Sequence, residues 1–306
     1  MSTNQVMSRS DREAPRKRRI LGYLCAVLVV VLFSGFTLIS RFGLTTTMTF
    51  PELAALRFGV GGLLLLPVLF RYGLSGLNWR QAAWLAFLGG LGFAMFAYSG
   101  FLLAPAAHGA VLLHGTLPLF TFLILTASPK TAGQRTSRWS VILIASGVAL
   151  MAWDSIVGAS ARQIMGDVLL LAASLSWSAY GVTVRRLGLV PIRAAAIVAA
   201  LSMCCYLPIY AALAGPTLFA VDWQDLLLQG VFQGVLIGAV SIFVYTSAVT
   251  ILGVSETATF TAAVPCATTI GAIPLLSEWP NATTIGGVVI VTAGMLIAAR
   301  TFAAKR

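Results

Sequence analysis

The sequence predicts an all-α polytopic membrane protein with ten transmembrane helices. They form two inverted repeats of five, with both termini in the cytoplasm. Three observations predict this. Hydrophobic residues make up 58% of the 306 and charged residues only 9%, with a mean hydropathy of +0.92. Soluble domains carry about 25% charged residues, so this chain lacks the polar side chains to cover a globule, and its solvent is lipid. Apolar runs of about 20 residues, the length that crosses a bilayer's hydrocarbon core, recur along the chain. Features of the first half also return in the second at a near-constant offset: Tyr98 and Tyr245, like Pro118 and Pro265, stand 147 residues apart.

Residues 1–19 are polar and end in Arg16-Lys17-Arg18-Arg19. The apolar run that follows is long for a signal peptide and has no small-x-small cleavage site. Residues 1–19 are therefore expected to be a disordered cytoplasmic tail before a first membrane helix. Helices are expected near 20–40, 51–70, 80–103, 106–127, 138–156, 166–186, 192–214, 225–250, 254–276 and 281–301. The tightest breaks fall at Ala104–Pro105 and Leu252–Gly253. Every loop is short, so any chemistry must take place within the membrane.

Lysine and arginine concentrate on the cytoplasmic side of a membrane protein. With the N-terminus inside, every lysine and arginine except Arg41, Arg57 and Arg162 falls in an inner segment, while Asp154, Asp167, Asp222, Asp225 and Glu278 fall outside. An odd helix count would spoil this bias. The expected location is the plasma membrane, in a bacterium the inner membrane, as a multi-pass monomer in the lipid bilayer. The net charge of +11 does not indicate a nucleic-acid partner, because the basic residues flank apolar runs rather than sharing one soluble face. Cys25, Cys204, Cys205 and Cys266 lie inside apolar runs and read as small buried hydrophobes. Neither a metal nor a cofactor is expected.

The repeats are read as 20–157 and 166–302. Phe33-Ser34-Gly35-Phe36 answers to Trp177-Ser178-Ala179-Tyr180 at an offset of 144, and Arg41 and Arg185 follow at equal distance. Ser146-Gly147 and Ala293-Gly294 stand 147 apart. Five helices per repeat is an odd number, so the second copy enters the membrane from the opposite side. Inverted repeats of this kind accompany a substrate site near the midplane and alternating access.

Several motifs occur in order over about residues 20–302: Leu56-Arg57-Phe58 before a leucine run, the short break before the fourth helix, Pro118 and Pro265, and Ser277-Glu278-Trp279 before a glycine-rich last helix. On these the chain resembles the drug/metabolite transporter superfamily, in its EamA-type ten-helix branch, and looks most like the YddG-type exporters of aromatic and other amino acids. The resemblance implies a membrane transporter that exports small metabolites. It departs at Thr131, which stands where a first-half counterpart of Glu278 would fall.

The candidate substrate-binding residues are His114, Tyr98, Trp177, Tyr180, Tyr245, Phe36 and Ser34. His114 falls about 12 Å along its helix, near mid-membrane, where a polar ionisable group is costly and faces a cavity or a partner. The aromatics and the serine suit a small amphipathic solute. His108 is placed at the interface. Pro118 and Pro265, each about three turns into a helix, are candidate hinges, because proline removes a helix hydrogen bond. Glu52 and Arg57 are expected to form a structural ion pair. Trp79, Trp84, Trp139, Trp153, Trp223 and Trp279 are placed as interface anchors, and Gly89-Gly90 and Gly286-Gly287 as close helix contacts.

No carboxylate is expected deep in a helix, which disfavours strong ion coupling. Arg57 is the one deep cation, and a phosphate-bearing substrate would need several. The expected substrate is a neutral or zwitterionic metabolite, with amino acids foremost. Other small metabolites or drugs, or a passive channel, are the alternatives. An intramembrane enzyme is not expected: the helix-core aspartate pair and the HExxH motif are both missing.

Overall fold

The computed structural model describes residues 9–127, 137–158, 161–213 and 217–303. Helix fills each of the ten expected places: α1 Arg9–Thr46, α2 Phe50–Tyr72, α3 Trp79–Leu103, α4 Ala106–Thr126, α5 Arg138–Gly158, α6 Ala161–Arg186, α7 Pro191–Leu213, α8 Trp223–Leu252, α9 as Val254–Thr261 and Val264–Leu276, and α10 Ala282–Ala303. Among the described residues there is no strand, and nine helices are long and apolar enough to cross a membrane. The remaining one, α5, has a shorter apolar stretch over Arg138–Trp153. The protein is a polytopic α-helical membrane protein. Its first helix starts at Arg9, so residues 9–19 are helical rather than a disordered tail. Arginine, lysine and glutamate are good helix formers, and the apolar run extends the helix beyond them. Thr131 and Lys130 lie outside the described residues.

Local chemistry sets the breaks. The Glu52 carboxylate accepts the Thr49 N–H at 2.7 Å and so starts α2, and Asn78 and Gln81 exchange two hydrogen bonds at the start of α3. Ala104 is extended, at φ −121° and ψ 152°, and Pro105 follows, so α3 cannot run on into α4. Gly253 holds φ at 89°, a conformation that favours glycine, and divides α8 from α9.

α4 and α9 are interrupted midway. In α4 a π-helical stretch, Ala110–Gly115, leads through Thr116 into a new α segment at Leu117. In α9 the turn at Ala262-Ala263 leads into a new segment at Val264. Pro118 and Pro265 are each the second residue of the restarted segment. At that position an N–H would have no intrahelical partner, so proline costs little there. The expected proline kinks are thus breaks completed just before the prolines. α3 and α8 also correspond, with π-helical stretches at Phe87–Leu91 and Gly230–Val240.

The helices pair in matched sets: α3 with α6 and α8 with α1, α2 with α8 and α7 with α3, α1 with α9 and α6 with α4. The pairs α2–α7, α4–α9 and α5–α10 are their own counterparts when the first five helices are exchanged for the last five. Small residues allow close approach at these seams. A Cβ at Gly147 of α5 would lie 3.0 Å from the Gly287 carbonyl oxygen of α10, and one at Gly61 of α2 would lie 3.5 Å from the Gly234 carbonyl oxygen of α8. The six tryptophans placed as anchors are all well exposed. Cys204 and Cys205 are exposed as well, not buried, because both face away from the seam that α7 makes with α2 through Ala195 and Ala196.

Candidate functional site

Aromatic side chains form a connected chain through the middle of the bundle. Tyr245 meets Phe33 (6.2 Å between centroids), Phe33 meets His114 (5.7 Å), and His114 meets Phe36 edge-on (6.5 Å). Phe36 touches Tyr98 (6.1 Å) and Phe93 (6.0 Å). Phe93 touches Trp177 (4.8 Å), which touches Tyr180 (5.1 Å). Six of the seven expected substrate residues therefore belong to one chain, which crosses from α8 through α1, α4 and α3 to α6. Ser34 stands beside it and donates to the Val264 carbonyl at 3.5 Å.

Arg57 of α2 lies under this chain. Its guanidinium carbon is 5.2 Å from the Phe36 ring centroid and 5.7 Å from that of Phe93. Both are cation–π distances. Nη1 is buried and has no hydrogen-bond partner. The expected Glu52–Arg57 pair does not form among the described residues, since Glu52 serves the Thr49 N–H. Five residues on a helix separate two side chains by about 140° around the axis, so the two face different neighbours. His114 Nδ1 is buried near by, also without a partner.

A polar ladder braces the same level. Tyr98 Oη donates to Gln233 Oε1 at 3.1 Å, Gln233 Nε2 donates to Ser40 Oγ at 2.9 Å, and Gln229 Nε2 donates to the Ile39 carbonyl at 2.8 Å. It ties α3, α8 and α1 together with buried partners.

One end of the bundle is knotted. Arg41 of α1 pairs with Glu278 and also donates to the Phe101 carbonyl of α3. Glu278 accepts the Ala106 N–H at 2.7 Å and so caps α4. A cavity of about 210 Å³ opens beside this knot, lined by His108, Gln163, Thr269, Glu278, Trp279 and Thr284 among others. His108 is not at an interface: it is 1% exposed, and its Nδ1 lies 2.9 Å from Oδ1 of Asp167, itself 7% exposed. Asp167 is thus a carboxylate buried within a helix, where none was expected. At the opposite end Arg19 meets Glu256 at 3.4 Å, with both side chains exposed.

Below His108 the α4–α6 seam stays polar. Thr116 Oγ1 and Ser174 Oγ are 2.7 Å apart, and Ser178 donates to the Leu117 carbonyl at 3.3 Å. The sequence reading missed Asp167, Ser174, Gln229, Gln233 and the Arg41–Glu278 link. A signal existed for the glutamines, which are four residues apart in an apolar run. The other partners are 58 to 237 residues apart, which no local pattern shows.

The fold and these contacts define a polytopic membrane protein whose two sets of five helices meet around a polar-aromatic centre. Residues 164–300, which span α6 to α10, match the EamA-like transporter family, a family of membrane transporters. A solved crystal structure has the same fold, with a TM-score of 0.59 at 22% identity over 95% of this chain and 99% of the other. No curated protein matches the chain.

Proposed function

We propose that the protein exports small zwitterionic metabolites, with aromatic amino acids foremost, by alternating access. The observation that carries this reading is the buried Nη1 of Arg57, without a partner, beneath the Phe36 and Phe93 rings. A buried charge without a counter-charge is costly, and a guanidinium binds a carboxylate strongly, often through two parallel hydrogen bonds. The rings beside it suit an aromatic or apolar side chain, and the hydroxyls of Tyr98 and Tyr245 suit an ammonium group. His114, Trp177, Tyr180 and Ser34 complete the site.

The matched helix pairings support two repeats, 20–157 and 166–302, that exchange shapes about the centre. The breaks at Thr116 and at Ala262-Ala263, with Pro118 and Pro265 just beyond them, are the hinges. Both termini lie in the cytoplasm and the Glu278 end faces outward, as the lysine and arginine distribution favours. The protein acts as a monomer in the plasma membrane.

The test is uptake of phenylalanine into liposomes that carry the purified protein. Saturable uptake is expected, and it falls sharply in Arg57→Gln. Folded protein that moves no aromatic amino acid would overturn the reading.

A further inference from the structure

We infer that Arg71 and Tyr72 of α2, together with Arg193 of α7, bind the phosphate headgroup of an anionic phospholipid at the end of the bundle opposite Glu278. The site does not depend on which solute the protein carries.

Two cations share one ring. The Arg193 guanidinium carbon stands 4.1 Å from the Tyr72 ring centroid, and that of Arg71 stands 5.7 Å from it. Both are cation–π contacts. They arise because α2 and α7 pack along a seam of Leu65, Ala195 and Ala196, so the last turn of α2 meets the first turn of α7. Like charges held this close repel. Arg193 also lies in the first turn of its helix, where the helix dipole disfavours a cation. An anion at this point relieves both costs.

The protein supplies no such anion from the helices around the ring. The sequence has no aspartate or glutamate between Glu52 and Asp154, nor between Asp167 and Asp222. Those stretches hold all of α3 and α7, and the ends of α2 and α6 that lie here. α8 also packs on α2 and α7. Its acidic residue, Asp225, is in its first turn at the far end, and Glu256 just beyond α8 meets Arg19. Among the described residues neither Arg71 nor Arg193 forms an ion pair. The other charged groups at this end, Arg80 at the start of α3 and Arg185 and Arg186 in the last turn of α6, are positive too, so the field here draws anions.

Two guanidinium forks suit the oxygens of a phosphate, free or esterified. The surroundings favour the lipid. Leu64, Pro67 and Phe70 are exposed on α2, and Leu64, Pro67 and Arg71 are spaced by three and four residues. They form one apolar row that ends at the arginine, along which an acyl chain can lie while its headgroup meets the charges. Trp79, past the short turn that follows Tyr72, is exposed as well and marks the headgroup level. Basic pockets between membrane helices are known to take anionic headgroups.

The test uses the full-length protein in a mild detergent. Native mass spectrometry should show that wild type retains dioleoylphosphatidylglycerol in preference to dioleoylphosphatidylcholine. Arg71→Gln and Arg193→Gln should each weaken retention of the anionic lipid about fivefold, and the double variant should lose the preference. The Arg71 side chain is exposed, so Arg71→Gln leaves the packing intact. Arg80→Gln should bind as wild type does. Equal retention of both lipids by wild type, or a preference kept in the double variant, would overturn the inference. An equal loss in Arg80→Gln would overturn it too, since the binding would then belong to the overall basic charge of this end. Phosphatidylglycerol should also raise the thermal unfolding midpoint of wild type but not of the double variant, whereas inorganic phosphate should leave it unchanged. A rise with inorganic phosphate as large as that with the lipid would assign the site to a soluble anion and overturn the lipid reading.

Discussion

Ser178 of α6 donates its hydroxyl to the carbonyl of Leu117, the residue just before Pro118 of α4. Ser34 of α1 does the same to Val264, just before Pro265 of α9. In each case a side chain from one set of five helices holds the restart of a broken helix in the other set. The hinge proposal depends on those restarts.

Alanine at Pro118 or Pro265 supplies an N–H that can reach back across the break and favour a continuous helix. Pro118→Ala and Pro265→Ala should slow phenylalanine transport in liposomes while the protein still elutes as a folded species. Wild-type rates in both would remove the hinge role.

Arg57→Gln deletes the charge beneath the rings. A charge-assisted hydrogen bond contributes roughly 1.5–3 kcal/mol, so the loss in phenylalanine affinity should be about tenfold to a hundredfold. Phenylalaninamide, which has no carboxylate, should bind wild type and variant alike. An equal loss for both ligands would assign Arg57 to packing.

Glu278→Gln removes the partner of Arg41 and weakens the cap on Ala106. The Glu278 end should open more often. A cysteine placed at Thr284, in the adjoining cavity, should react faster with a polar thiol reagent in the variant. An unchanged labelling rate would show that the knot does not hold this end shut.

Gln233→Leu leaves the buried Tyr98 hydroxyl and Ser40 without their bond. An unsatisfied buried polar group costs about 1–3 kcal/mol, so thermal unfolding in detergent should begin at a lower temperature. Gly147→Val should be worse: added methyl groups would meet Val291 and the Gly287 carbonyl, and overpacking of this kind costs about 1–3 kcal/mol or more. A variant with wild-type thermal stability in either case would argue that the contact is easily relaxed.

The helices were legible because their signal is compositional: twenty apolar residues bounded by Arg, Lys, Pro or Gly leave lipid-spanning helix as the solution. The aromatic chain was legible in part, since Phe36, Tyr98, His114 and Trp177 stand out in apolar surroundings. What joins them was not. His108 and Asp167 each sit a few residues inside a predicted helix end and look solvated until the neighbouring helix is placed. Glu52 and Arg57 invited pairing by proximity in sequence, whereas the helix turns them apart. The prolines stand just beyond the breaks, which belong to Thr116 and to Ala262-Ala263, residues with no marked helix-breaking character.

The meeting of α2 and α8 has a mechanical consequence. Near Gly61, Gly234 and Gly238 the two backbones come close, and the Val60 side chain of α2 fills the space beside Gly234. Interlocked ridges resist sliding because they must first unmesh, and Val60 seated at Gly234 is such an interlock. The two helices come from opposite sets of five. Moving one set past the other along this seam therefore requires Val60 to leave its place beside Gly234, and the neighbouring Gln233 to give up its bonds to Tyr98 and Ser40.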